Sequence, residues 1–298
     1  MKSGLYSLLL SALCILLCSG CPEQQKSDKL TVAAGLPPVA GIVSAIGGDK
    51  VNVISVLPQG RTPHDFTPRT ATIKEVSGAS VLFSTGMPFE NKIAEFVKKQ
   101  NHRVCDVSAG IDRIAFHDGS LHDHHHHDGC SSDDHDPHIW LSPANARKIA
   151  ENVCNELISL DPANESYYRE NCKKLCDKLT ELDKKNAVKL APHKGKTFFV
   201  YHPAFGYFAN AYGLKQRAIE LNGREATPAQ LAKITQEAKE CGISTVFVQE
   251  QFNPGSAEAL ARQIKGNVVA LDPLAEDICG NLEKITDALE AGFNTGKK

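Results

Sequence analysis

Short apolar runs rich in branched side chains alternate with segments of helical period, and the alternation occurs twice, on either side of one long charged stretch. Residues 30–34, 51–57, 81–84 and 103–107 read as strands, with helical patterns at 39–46, 73–77, 93–100 and 143–160. After residue 195 the pattern restarts, with strands at 197–201, 218–219, 245–248 and 268–271 and helices at 205–211, 228–240, 257–265 and 282–291. Strands that alternate with helices imply parallel pairing, because each return crossover needs the length of a helix. From 164 to 190 the apolar residues Tyr168, Leu175, Leu179 and Leu182 recur at three- or four-residue steps or their multiples in a charged background, as on one long helix. The fold class is therefore α/β: two similar lobes, each a mainly parallel sheet flanked by helices, joined by one long connector helix. The expected bounds are 30–160, 161–191 and 192–298. In open sheets of this kind ligands bind beyond the carboxyl ends of the strands, so the cleft between the lobes is the expected site.

The amino terminus reads as an export signal. Lys2 gives a short positive end, and the apolar run at 5–17 is too short to span a bilayer comfortably. The stretch Leu16-Leu17-Cys18-Ser19-Gly20-Cys21 resembles a lipobox, with Cys18 standing where leucine is commonest. Residues 1–20 are then the signal, Cys21 the lipidated first residue of the exported chain, and 21–29 a tether; cleavage and release is the alternative. Export places the remaining cysteines where disulfides are permitted, with Cys241 and Cys279 a candidate bridge. With 33 Lys and Arg against 35 Asp and Glu, no basic surplus exists to neutralise phosphates, so nucleic acid is not an expected partner.

Three histidines sit in proline-flanked turns: His64 in Pro63-His64-Asp65-Phe66, His138 in Asp136-Pro137-His138-Ile139-Trp140, and His202 in Tyr201-His202-Pro203-Ala204-Phe205. His64 and His202 follow strands and His138 precedes a helix. A rigid turn fixes the direction of each ring, and neutral imidazole suits zinc and other late first-row ions. Asp272, in Leu271-Asp272-Pro273-Leu274, ends the last strand and can add an oxygen, which would complete a tetrahedral set. Glu250 is expected to orient a histidine through its remaining ring N–H. Phe205, Tyr207 and Phe208 fit a helix packed on the site.

These stretches, together with Ser84-Thr85-Gly86 and Glu90, Glu225 with Pro228, and Phe247 with Glu250, form an ordered set along nearly the whole exported chain. The set resembles the metal-binding components of bacterial ABC importers, the zinc-uptake (ZnuA-like and TroA-like) solute-binding proteins. The resemblance implies that His64, His138 and His202 bind Zn(II) as the transported ligand. It implies Asp272 or water as the fourth ligand, and limited lobe motion. It further implies a lipid-anchored, monomeric receptor, periplasmic or on the cell surface, that serves a membrane permease and is not itself an enzyme. Relatives that import manganese place a carboxylate where His202 stands, so histidine there favours zinc.

Between the first two of these histidines the 117–136 segment loses periodicity. It carries His117, His122, His124, His125, His126, His127 and His135 among aspartates. A solvated polar insertion that captures zinc weakly is the expected reading, one that fails when the imidazoles protonate near or below pH 6. Three other functions compete: a manganese receptor of the same class, a zinc-dependent hydrolase, and an adhesin. The hydrolase would normally need a general base in a substrate-sized pocket, and no HExxH helix, nucleophile elbow or phosphate loop is visible.

Overall fold

The structure is a computed structural model that describes residues 29–116, 135–220 and 223–295. The signal, Cys21, nearly all of the tether, and His117, His122, His124, His125, His126 and His127 lie outside these residues.

The first lobe runs β1 (Leu30–Ala34), α1 (Pro37–Gly47), β2 (Val51–Ser55), α2 (Thr70–Val76), β3 (Val81–Ser84), α3 (Pro88–Lys99), β4 (Arg103–Asp106) and α4 (Pro143–Leu160). The connector α5 spans Glu165–Leu190, and the second lobe runs β5 (Thr197–Val200), α6 (Gly206–Tyr212), β6 (Lys215–Ala218), α7 (Pro228–Glu240), β7 (Thr245–Gln249), α8 (Gly255–Ile264), β8 (Asn267–Leu271) and α9 (Ile278–Thr295). All pairings within the two sheets are parallel, in the orders β2-β1-β3-β4 and β6-β5-β7-β8. The two sheets thus share one topology, with the chain reversing its winding direction between β1 and β3 and between β5 and β7. Such reversals open a crevice at the carboxyl ends of the strands.

Proline fixes the first turns of α1, α3, α4 and α7, where a missing N–H costs nothing. At α3 a carboxylate completes the start. One oxygen of Glu90 accepts hydrogen bonds from the backbone N–H groups of Thr85, Gly86 and Met87 and from the Ser84 hydroxyl, at 2.7–3.0 Å. Ser84-Thr85-Gly86 with Glu90 therefore ties the end of β3 to α3 rather than binding a ligand. Burial pushes the Glu90 carboxyl up to about 7 against the pull of those bonds. Gly35 makes room for it: a Cβ there would lie 1.6 Å from the other carboxylate oxygen.

The 26-residue α5 is roughly 39 Å long at the usual helical rise. It buries Tyr168, Cys172, Leu175, Leu179, Leu182, Asn186 and Leu190, and packs on α1, α4 and α9. One core cluster includes Val32, Phe83 and Trp140 from the first lobe and Phe198, Phe205 and Phe247 from the second. The Trp140 indole N–H donates to the carbonyl of Pro273 at 2.7 Å, a buried bond from lobe to lobe. A continuous apolar core with a buried polar pin favours small displacements over wide hinge opening.

Cys105, Cys154, Cys172, Cys176, Cys241 and Cys279 are free thiols. The candidate Cys241–Cys279 bridge is not formed, since Cys241 is exposed at the end of α7 and Cys279 is buried at the start of α9. No helix among the described residues is long and apolar enough to cross a membrane.

Candidate metal centre

His64 lies on the irregular segment between β2 and α2, His138 just ahead of α4, and His202 two residues beyond β5. Their ligand atoms come within 4.8 Å of one another, and no other group of three His, Cys, Asp or Glu side chains gathers in this way among the described residues. The Nε2 atoms of His64 and His138 are 3.2 Å apart, as are those of His202 and His138. A tetrahedral zinc with metal–nitrogen bonds of 2.0–2.1 Å separates its ligand nitrogens by roughly 3.3 Å.

The other ring nitrogens decide what these atoms can do. Nδ1 of His138 is 2.8 Å from Oδ1 of Asp136, and Nδ1 of His202 is 2.6 Å from Oε1 of Glu220. An ionised carboxylate only accepts, so each Nδ1 carries the proton and each Nε2 turns a lone pair into the cavity. Two lone pairs facing each other at 3.2 Å repel, and a cation between them removes the repulsion. Imidazoles held by carboxylates in this tautomer are the usual preparation for metal binding.

Packing holds the same two rings. His138 is 2 % exposed and meets Trp140 edge-on, while His202 is 6 % exposed and stacks on Phe252. The backbone of His202 is clamped by Gln249, whose Oε1 accepts from its N–H and whose amide donates to its carbonyl. Asp136 also accepts from the His138 backbone N–H and lies against Gly206 of the second lobe, where a Cβ would come within 2.2 Å of Oδ2. His64 is exposed, and its backbone N–H donates to the Thr62 hydroxyl over 3.4 Å. The cavity the three rings share is about 10 Å³, room for one ion or one water and far below the size of an organic substrate pocket.

The structure does not add Asp272 to this group. Its Oδ1 accepts from the Leu274 N–H and from the Gln251 side chain, each within 3 Å, which shapes the turn beneath the cavity. Glu250 is exposed, so the orienting role expected of it falls to Glu220 for His202 and to Asp136 for His138. The reason is a turn: β7 ends at Gln249, the Phe252 N–H bonds back to the Gln249 carbonyl, and Gln251 lines the cavity while Glu250 is left outside. His135 is exposed and pairs with Ala115 in an isolated bridge, at the base of the histidine-rich segment. Phe205, Tyr207 and Phe208 are buried in the core.

The model of the ZnuA family, described as zinc-uptake complex component A, periplasmic, matches residues 32–292. The chain belongs to the ZnuA family. Members of the ZnuA family are solute-binding proteins, not enzymes. The chain is 30% identical over 280 residues to the zinc-binding lipoprotein AdcA of Streptococcus pneumoniae, covering 90% of this chain but 55% of that protein, so it spans about half of that relative's length. It is 31% identical over 262 residues to the manganese ABC transporter substrate-binding lipoprotein PsaA of Streptococcus mitis, covering 84% of this chain and 82% of that one. A crystal structure of ZnuA superposes with a TM-score of 0.80 at 30% identity, covering 89% of this chain and 99% of that chain. Relatives of the chain are thus named for either metal.

Two consequences can be measured. Glu220→Ala leaves the His202 ring free to turn and its Nδ1 proton without an acceptor. Zinc affinity should fall roughly ten- to a hundredfold by competition titration, while Glu220→Gln, which still offers an oxygen, should lose less. The second concerns pH. Burial, then the rings of His202 and His138, push His64 down from an ordinary value near 6.5 to about 3, although water at its exposed edge screens part of that effect. Burial likewise holds His202 low, against the pull of Glu220. Below pH 6.5 the unfolded chain therefore takes up protons on these rings that the folded chain refuses. Their contribution to stability is complete above that pH and declines as pH falls towards 3. The buried Glu90 acts in the opposite sense, its contribution falling as pH rises through about 7. Melts of metal-free protein between about pH 7 and pH 5 should show a steeper loss on acidification for the wild type than for His64→Ala.

Proposed function

We propose that the protein is the zinc receptor of an ABC-type import system: it takes Zn(II) between its lobes through His64, His138 and His202 and hands it to a membrane permease. The observation that carries this reading is the pair of carboxylate-held imidazoles, His138 and His202, whose Nε2 lone pairs face each other at 3.2 Å. Zinc is favoured over manganese because the gathered atoms are all imidazole nitrogens, whereas manganese prefers a harder, oxygen-rich set. The name of the S. mitis relative makes manganese the competing cargo.

Export and a lipid anchor at Cys21 belong to the same reading, supported by the signal-like terminus and by relatives named as lipoproteins. The histidine-rich run from His117 to His135 is proposed as a weak zinc collector. It returns to the fold at His135, three residues before the ligand His138.

Competition titration of the exported chain against a chromophoric chelator tests this function. One tight zinc per chain is expected, with weaker sites that vanish when residues 117–135 are deleted. Manganese should bind the tight site far more weakly. A chain with no tight zinc site, or one that prefers manganese, would overturn the proposal.

A further inference from the structure

Resting on the reading of this cavity as a zinc site, we infer that Gln251 supplies its fourth ligand, through the side-chain amide oxygen. Gln251 lines the cavity together with the three histidines and Phe252. Its two polar atoms have different fates. The amide nitrogen is 2.8 Å from Oδ1 of Asp272. That carboxylate oxygen already accepts from the Leu274 N–H, and a carboxylate has only lone pairs to offer, so the NH₂ group must face it. Turning the amide over would set oxygen against oxygen. The orientation is therefore fixed by Asp272, and Oε1 points the other way.

Oε1 is buried and has no hydrogen-bond partner among the described residues. A buried acceptor without a donor is costly, and such groups are rare unless something fills the position. Three imidazoles line the cavity beside it, and the Nε2 atoms of His138 and His202 carry lone pairs and no proton. Neither of these can donate to Oε1. A divalent cation can satisfy the amide oxygen and the imidazoles together.

The assignment changes what Asp272 does. It acts through Gln251 as a positioning residue. An N₃O set with a neutral oxygen leaves the full +2 charge of the ion, where a carboxylate would cancel part of it. Hard, oxygen-preferring cations lose most from that exchange, so Gln251 is also a specificity-determining residue that disfavours manganese relative to zinc.

The test compares the wild type, Gln251→Ala, Gln251→Glu and Asp272→Ala, titrated with zinc, manganese and cobalt(II). Cobalt reports its ligand set through its visible absorption bands. Gln251→Ala should lower zinc affinity roughly ten- to a hundredfold and change the cobalt spectrum, with the melting of the metal-free chain as the control for folding. Gln251→Glu, which keeps the shape and adds charge, should raise the ratio of manganese to zinc affinity at least about tenfold. A Gln251→Ala chain with wild-type zinc affinity and an unchanged cobalt spectrum would overturn the assignment, whatever Asp272→Ala does. If only Asp272→Ala alters both, the carboxylate is the ligand; if neither does, water is. A wild type without tight zinc binding would instead remove the function proposed above.

Discussion

His202→Ala will lower the affinity for zinc by roughly a hundred- to a thousandfold, and His138→Ala will do the same. Zinc sites built from four protein ligands bind with about 10–16 kcal/mol, so each ligand carries roughly 2.5–4 kcal/mol, or about two to three powers of ten. The loss should be near the upper end here, because both rings are buried and already in the metal-binding tautomer, and water that replaces one must enter a cavity of about 10 Å³. Competition titration reads the result directly. Retention of wild-type affinity by either variant would remove that ring from the ligand set.

Zinc should also raise the melting temperature by roughly 7 °C once it exceeds the dissociation constant a thousandfold. Binding to the native state alone adds about 4 kcal/mol at that excess, and chains of this size gain a little under about 2 °C per kcal/mol. Relief of the repulsion between the Nε2 atoms of His138 and His202 is part of this gain. Differential scanning with and without zinc, repeated on His138→Ala, checks it. The variant should keep its metal-free melting temperature within a few degrees and lose the zinc increment. A wild-type shift that survives in the variant would locate the stabilising ion elsewhere, with the histidine-rich run the first place to look.

Much of this molecule was legible in the chain, and the exceptions have physical causes. Seven of the eight strands were readable in the chain, and the central β3, β5 and β7 announce themselves as apolar runs because they lie inside sheets covered by helices. The exception is β6, where Lys215-Gln216-Arg217 hides an edge strand whose Arg217 is buried only by its 2.7 Å ion pair with Glu237. The first turn of α3 was hidden in the same way, since it is held by the Glu90 carboxylate and not by apolar period.

At the site, proline-flanked turns pointed to His64, His138 and His202, whose rings the structure brings together. The groups that orient them were harder to find. Glu220 is 18 residues from His202 and reaches it only because β5 and β6 pair side by side. Asp136 was in view within its motif, but nothing in the spacing says that its carboxylate folds back onto the ring two residues on. The choice of Glu250 over its neighbours failed for a definite reason. β7 is buried on both faces, so no alternation of polar and apolar residues sets the phase in which Gln249, Glu250 and Gln251 leave the strand.

The unequal mounting of the three rings gives the traffic of the ion an order. His138 and His202 are fixed before any cargo arrives, each braced by a carboxylate and an aromatic ring. His64 rides an exposed stretch of irregular backbone with far less to hold it. In the receptor proposed above, an arriving cation would meet the braced pair first and His64 last. Departure would then begin at His64, by a pull on one short stretch of chain.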